Sequence, residues 1–468
     1  MYIRNNGRLN DATEELIDKA YALTSGHPLH LEQLIASLHY TSGLPQAGSS
    51  YKLNNLIEYI INSLDAYDRT LLEYASIIGT TFCSALLGQA AAEPESNVEQ
   101  SCERMARQNH FITRSGITVW PNGHSSPRYE FRHSSYPDLI RGRVRASDFR
   151  AASLRIATTL EAAYGDRSSG IATDLATYYA SAGAHKKSVV HHLAASYKSL
   201  MVGAVNEATI HADQATIQAT SLEPDAIEPN MELALALIRI HIGVSESGFA
   251  APALDLHIAK LRTLIPIVDD NDLCTNALGI LWMTSFFNSR HLEANKYADL
   301  AKVLGEQRGA PTLHCAGYAW HSLGAHVQGD DEYALELSEK AIALSQQGSW
   351  DLSSMGHVEP GRAAMSANAQ SLWALGRPDA ALARSYEAVA RAERANNPYL
   401  RCAAAGTILG SAFVLRREPQ KLIDNCNQVI PDCERFGNAE ALAWCMKFKG
   451  LALCMLGAPE EGLEIFTH

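Results

Sequence analysis

One pattern constrains this chain more than any other: a turn-forming residue is followed, five positions later, by a small one, and the pair recurs. The copies are Gly183/Ser188, Gly203/Ala208, Ser289/Ala294, Gly329/Ala334, Gly376/Ala381 and Gly457/Gly462. Glycine frees the backbone to turn sharply between two helices, and the small residue lets the second helix approach the first closely. The clearest copy reads Leu372-Trp373-Ala374-Leu375-Gly376, then Ala381-Leu382 and Ala388. The later turns lie about 40 residues apart, the scale of an antiparallel helix pair. Such a pair cannot bury its apolar face alone, so the pattern predicts a stacked helical array over residues 146–468. Composition agrees: aromatic residues are only 7% of the chain, apolar residues 47% and charged residues 19%. Sparse aromatics with long alanine runs favour close-packed helices over sandwich strands.

The N-terminal part reads differently. Asp11 with Glu14 opens a helix in a capping-box pattern, Gly26 ends it and Pro28 prevents its continuation. A second short helix, Leu29 to Leu38, completes a helical segment over 1–40, and Thr41 to Ser50 reads as a linker. Helices are expected at Leu53–Leu64, Tyr67–Ile78 and Asn97–Gln108, the last capped by Ser96 with Glu99. Short β-prone runs at His110–Arg114 and Ile117–Trp120 flank a turn at Ser115-Gly116, and a third lies at Tyr129–Arg132. Three helices followed by a small β-wing describe a winged-helix module over 51–145. The expected fold class is therefore mainly α: a winged-helix module, then an α-α superhelix.

The formal net charge is −12, from 39 basic and 51 acidic residues, with no basic tract. The third helix of the module mixes Glu99, Glu103, Arg104 and Arg107, which is no phosphate-tracking face, so a structural role is preferred to direct nucleic-acid binding. Nine scattered cysteines, without a CxxC pair, read as reduced core residues, Cys426 and Cys433 among them. With no signal-peptide pattern and no long apolar run, the expectation is a cytoplasmic protein without a membrane span. His185, His191 and His192 lack a carboxylate or fourth ligand at fitting spacing, so they are assigned to the helix surface and no metal is expected. Trp320, Trp350 and Trp373 read as packing between repeats, with a groove-facing subset available to a partner. No nucleophile with its base is recognisable.

Three segments in order resemble the STAND-type signalling ATPases, and more narrowly the predicted ATPases fused to DNA-binding, cyclase or kinase effectors. The first is Thr24-Ser25-Gly26-His27-Pro28-Leu29-His30-Leu31, which resembles the family's GNP-(L/F)-x-L element with His27 in the place of asparagine. The second is INSLDAYDRTLLEYASIIGTTF, similar to the start of the family's winged helix. The third is Val119-Trp120-Pro121-Asn122-Gly123 through Tyr129-Glu130-Phe131-Arg132-His133, similar to its W-P-(D/N)-G … Y-x-F-R-H element. The stretch from Glu359 to Ala392 resembles the family's tetratricopeptide-like sensor array. The resemblance implies that Gly26 and Pro28 belong to a turn packing on adenine, and that His133 reaches the phosphates of the nucleotide.

The departures matter equally. No G-x-x-x-x-G-K-(S/T) occurs, so no phosphate cradle is encoded, and no strand ending in paired acids supplies a magnesium ligand. The chain starts where the family's helical lid starts and stops inside the second helix of a repeat, which implies a split gene, a fragment or a degenerate paralogue. The expectation is a regulatory and sensor portion of a STAND-like ATPase, catalytically inactive alone and without a cofactor in isolation. ATP or ADP would enter only with an upstream core, and a protein or small-molecule inducer would bind the array. The alternative is a free-standing repeat scaffold that binds a protein partner without nucleotide control.

Overall fold

The structure, a computed structural model, describes residues 61–62, 64–108, 111–247, 252–346, 359–395, 397–436 and 438–467. The expected lid over 1–40, the linker and most of the helix Leu53–Leu64 lie outside the described residues. The chain divides into two compact units, Met1–Ser188 and Val189–His468.

In the first unit, α1 (Ala66–Ile78) starts where the Asp65 carboxylate accepts the Asp68 N–H at 2.8 Å, and it ends at Gly79. Next come β1 (Thr81–Cys83), α2 (Ser84–Ala91), α3 (Glu95–Arg107), β2 (Ile112–Val119) and β3 (Ser125–Phe131). The sheet is antiparallel, in the order β1-β3-β2, with Tyr129 opposite both Phe82 and Arg114. Val98, Cys102 and Met105 face inward from α3 at helical spacing, against Leu71 and Leu72 of α1 and the aromatic rings of Phe82, Tyr129 and Phe131.

Several local expectations change here. Ser115-Gly116 is no turn: β2 runs straight through it with a bulge between Arg114 and Gly116, where glycine takes φ 136°. The reversal lies at Trp120–His124, where Trp120 N–H donates to the His124 carbonyl at 2.8 Å and Gly123 takes φ 88°. Pro121-Asn122-Gly123 supplies the stronger turn chemistry, so it wins. The α3 cap is Pro94, without a side-chain hydrogen bond, rather than Ser96. Short elements β1 and α2 carry too few residues to show a period and escape sequence reading. The unit continues through α4 (Tyr136–Arg141), α5 (Ala146–Tyr164) and α6 (Ala172–Ala182), and Tyr178 of α6 donates its hydroxyl to the Ile78 carbonyl at 2.7 Å. Thus α5 and α6, where the repeat array was expected to begin, belong to the first compact unit.

After α7 (His185–Met201) the second unit is a succession of antiparallel pairs. Its helices are α8 (Val205–Thr220), α9 (Pro229–Ser247), α10 (Asp255–Leu264), α11 (Asn271–Phe287), α12 (His291–Arg308), α13 (Pro311–Val327) and α14 (Asp331–Ser345). Then come α15 (Pro360–Ala374), α16 (Pro378–Arg394), α17 (Pro398–Ala403), a π-helical turn Ala404–Leu409, α18 (Gly410–Leu415), α19 (Pro419–Phe436), α20 (Ala439–Met455) and α21 (Pro459–Thr467). Each second helix packs on its own first helix, while α11, α13 and α15 pack side by side. This is a mainly α chain with a small sheet and a tetratricopeptide-like array.

The turn rule is visible in the backbone. Gly183, Gly203, Ser289, Gly329, Gly376 and Gly457 all adopt left-handed φ, from 59° to 89°. Their partners Ser188, Ala208, Ala294, Ala334 and Ala381 are buried. Close approach is demanding at Gly317 of α13, where a Cβ would stand 2.6 Å from the Lys302 backbone nitrogen, and at Gly305 of α12, where one would stand 2.3 Å from the His314 backbone nitrogen. One repeat hides from the pattern: Arg417 takes φ 54° at its turn, and Leu422 stands in the small position. The α15 start is built on a buried carboxylate, Glu359, which accepts the Gly361 and Arg362 N–H groups and a two-pronged guanidinium from Arg391 at 3.1 and 3.2 Å. One helical stretch, Pro398–Leu415, passes length and composition tests for a membrane span, but most of it is buried, as in a core helix.

Candidate functional site

The first helices of successive pairs share one concave wall in the second unit, and it encloses a cavity of about 290 Å³. Trp282 and Phe286 of α11 form one side, their rings stacked at 4.7 Å, and Trp320 of α13 continues the stack at 6.0 Å. Trp444 of α20 lines the cavity too and is 37% exposed, with Phe287 and Val327 exposed beside the apolar wall. Residues more than a hundred positions apart therefore converge on one space, because each pair places its first helix on the same side.

The rest of the lining is polar. Ser366 and Gln370 of α15 are joined by a 3.0 Å hydrogen bond from the Gln370 amide nitrogen to the Ser366 hydroxyl. Thr407, in the π-helical turn, and Ser411 of α18 donate their hydroxyls to carbonyls one turn back at 2.7 and 2.6 Å. The ionisable groups are partnered: Arg362 lies 3.8 Å from Glu440, and the His326 ring lies 2.6 Å from Asp331. The indole nitrogen of Trp282 is buried without a hydrogen-bond partner. A wall of stacked rings, a polar wall and partnered charges give the cavity the make-up of a small-molecule pocket. A neighbouring cleft under Trp373 holds only about 10 Å³.

In the first unit, His133 follows β3, half-buried. Its Nδ1 accepts the Ser135 backbone N–H at 3.2 Å and lies 2.7 Å from the Ser135 hydroxyl. That bond places the proton of the neutral ring on Nε2, which is then a donor. Gly26 and Pro28 lie outside the described residues. On α3, Arg104 is tied to Asp65 at 3.2 Å and to Asp68 at 2.5 Å, while Glu103 pairs with Arg114 at 2.9 Å and accepts the Tyr129 hydroxyl at 3.1 Å.

The chain matches no protein-family model and no curated protein. Among solved structures it is similar to a Signal Transduction ATPase with Numerous Domains (STAND) protein with a tetratricopeptide repeat sensor from Pyrococcus horikoshii. The TM-score is 0.61 at 14% identity, over 98% of this chain and 64% of that one. The likeness is one of fold. This chain thus spans less than two thirds of that protein's length. The apo form of RapI matches with a TM-score of 0.37 at 11% identity, over 60% of this chain and 74% of that one, too loosely to bear on the argument.

Residues singled out by sequence fare unevenly. Trp320 does face the cavity, Trp373 lines the small cleft, and Trp350 lies outside the described residues. The expectation that His191 and His192 sit on the helix surface is wrong: both are buried, and His192 Nδ1 is 3.2 Å from His211 Nδ1. Cys426 and Cys433 are buried core residues, and no metal-binding group of histidine, cysteine or acidic residues occurs among the described residues. Trp282, Phe286 and Trp444 were missed. Their signal is a phase: Trp282, Trp320, Ala363, Thr407 and Trp444 recur about every 40 residues on first helices.

Proposed function

We propose that the chain is the regulatory and sensor portion of a STAND-like signalling ATPase, its array binding an inducer that biases the nucleotide state. The observation that carries this reading is the cavity onto which the first helices of successive pairs converge, together with the fold likeness to a STAND protein bearing a repeat sensor. Residues 51–145 are read as the winged-helix module and 146–468 as the array. An inducer acts only through differential affinity for two conformations, so the pocket and the nucleotide site must report on the same equilibrium. His133 is assigned to the phosphates because its Nε2 is left as a donor, and Gly26 with Pro28 to the adenine. With no phosphate-binding loop in its sequence, the chain alone hydrolyses no ATP.

The test is a fusion that places a family phosphate-binding core before Met1, with nucleotide affinity read by calorimetry. The fusion should bind ATP, and His133→Ala should weaken it roughly 10- to 150-fold, the worth of one charge-assisted hydrogen bond. Equal affinity of variant and parent would remove the phosphate role. The absence of the loop itself favours a second reading, a free-standing scaffold that binds protein, and a fusion that binds no nucleotide would favour it.

A further inference from the structure

The array pocket has a chemistry specific enough to name its occupant, given the reading of the array as a sensor. We infer that it takes a compact, uncharged molecule, apolar over most of its surface and carrying a hydrogen-bonding oxygen, rather than a sugar, an ion or an extended peptide.

Size comes first. The cavity of about 290 Å³ is at the small-molecule end of binding sites. An extended peptide needs a track along the array, whereas here Trp282 and Trp444, on α11 and α20, border a single space. Charge comes second. The ionic groups on the wall, Arg362 and Glu440, already face one another, and the His326 ring is engaged by Asp331 behind it. An anionic or cationic occupant would have to break one of those pairs and still desolvate its own charge. An uncharged one has neither cost.

Polarity completes the assignment. The stacked rings of Trp282, Phe286 and Trp320 offer an apolar bed for a planar or alicyclic body. A sugar, with hydroxyls on every side, would leave several of them facing that bed unpaired. Yet the lining is not wholly apolar. Gln370 commits its amide nitrogen to Ser366, and its carbonyl oxygen has no hydrogen bond among those described, so it can accept. The Trp282 N–H also lacks a protein acceptor, but it is buried beneath the wall and does not open onto the cavity. A ligand hydroxyl against that wall can donate to the Gln370 oxygen.

Nile red tests this, since it is uncharged, apolar, carries a carbonyl oxygen and fluoresces when desolvated. Titrated into the full 468-residue chain, it should bind with one-to-one stoichiometry. Val327→Trp at the exposed rim and Ser366→Trp inside should each weaken binding at least about tenfold by filling the space. The rim variant keeps the test valid should the inner one misfold, and melting curves identify that case. Gln370→Leu removes that acceptor, so it should weaken 1-pyrenemethanol by roughly 3- to 10-fold and leave pyrene, which has no hydroxyl to donate, unchanged. No saturable binding, or binding indifferent to Val327→Trp, overturns the inference. So does displacement of Nile red by a capped alanine–leucine peptide at equal concentration, which would make the pocket a peptide groove. None of these readouts involves nucleotide. A fusion that binds ATP while Nile red fails loses only the ligand assignment, and the reverse outcome loses only the ATPase reading.

Discussion

The two compact units are held together by different means. In the first, polar side chains bridge the elements around an aromatic core. Asp68 of α1, 3% exposed, accepts hydrogen bonds from Ser101 and Arg104 of α3, while Glu95 accepts the hydroxyl of Ser126 of β3 at 2.7 Å. In the second, helices meet through small residues: Ala294, Ala298 and Ala301 of α12 are all buried, and Gly317 admits the α12 backbone directly. Directional bonds fix a few elements in a single arrangement. Small-residue contacts allow the same joint to be repeated, which leaves large side chains free to line a groove.

The contrast can be broken from either side. Asp68→Ala should have the largest effect, destabilising the chain by about 1.5–3 kcal/mol, because it strips the Ser101 hydroxyl and Arg104 of a charged acceptor. Chemical denaturation measures it, and a loss near zero would mean that aromatic packing alone positions α3. Gly317→Val should cost about 1–3 kcal/mol through overpacking at the α12–α13 joint. If that substitution is neutral, the array is looser than its alanine spacing suggests.

The smallest effect sharpens the comparison through pH. Burial, aided by the neighbouring His211 and His191, pushes His192 down to about 4. The unfolded chain, with histidine near 6.5, therefore binds more protons than the folded one between those values. This contribution is full above about pH 6.5, falls as pH drops towards about 4, and amounts to about 1–2 kcal/mol after allowance for partial solvation. His211, also pushed down by burial, adds in the same direction, although Glu207 opposes it. In urea melts, His192→Gln should flatten the pH dependence of the wild-type chain over that window. An unchanged slope would place the acid sensitivity elsewhere.

The repeat turns were legible because a left-handed turn demands glycine and a close joint demands a small side chain, two requirements at fixed spacing. Where Arg417 tolerates the same backbone and Leu422 fills the joint, the rule falls silent and the repeat was invisible. The hairpin turn was displaced for a different reason. Ser115-Gly116 reads as a turn on its residues alone, and only pairing with β3 shows that it is a bulge. The groove was the least legible feature. Trp282 and Trp320 look alike in sequence to any core tryptophan, and their shared cavity depends on how several helix pairs curve.

The π-helical turn at Ala404–Leu409 lets one wall of that cavity absorb a single-residue change in length. A π turn holds one more residue than an α turn, so side chains beyond it are rotated by about 100° from where an uninterrupted α-helix would put them. Ser411 reaches the cavity and Phe413 the core of the last pairs under that offset. Deleting one residue within the turn would restore regular α geometry and leave both in place, whereas converting the turn to α at full length would swing both away together. The segment acts as a phase adjuster, at which the cavity-facing surface of one helix can be re-indexed without rebuilding its neighbours.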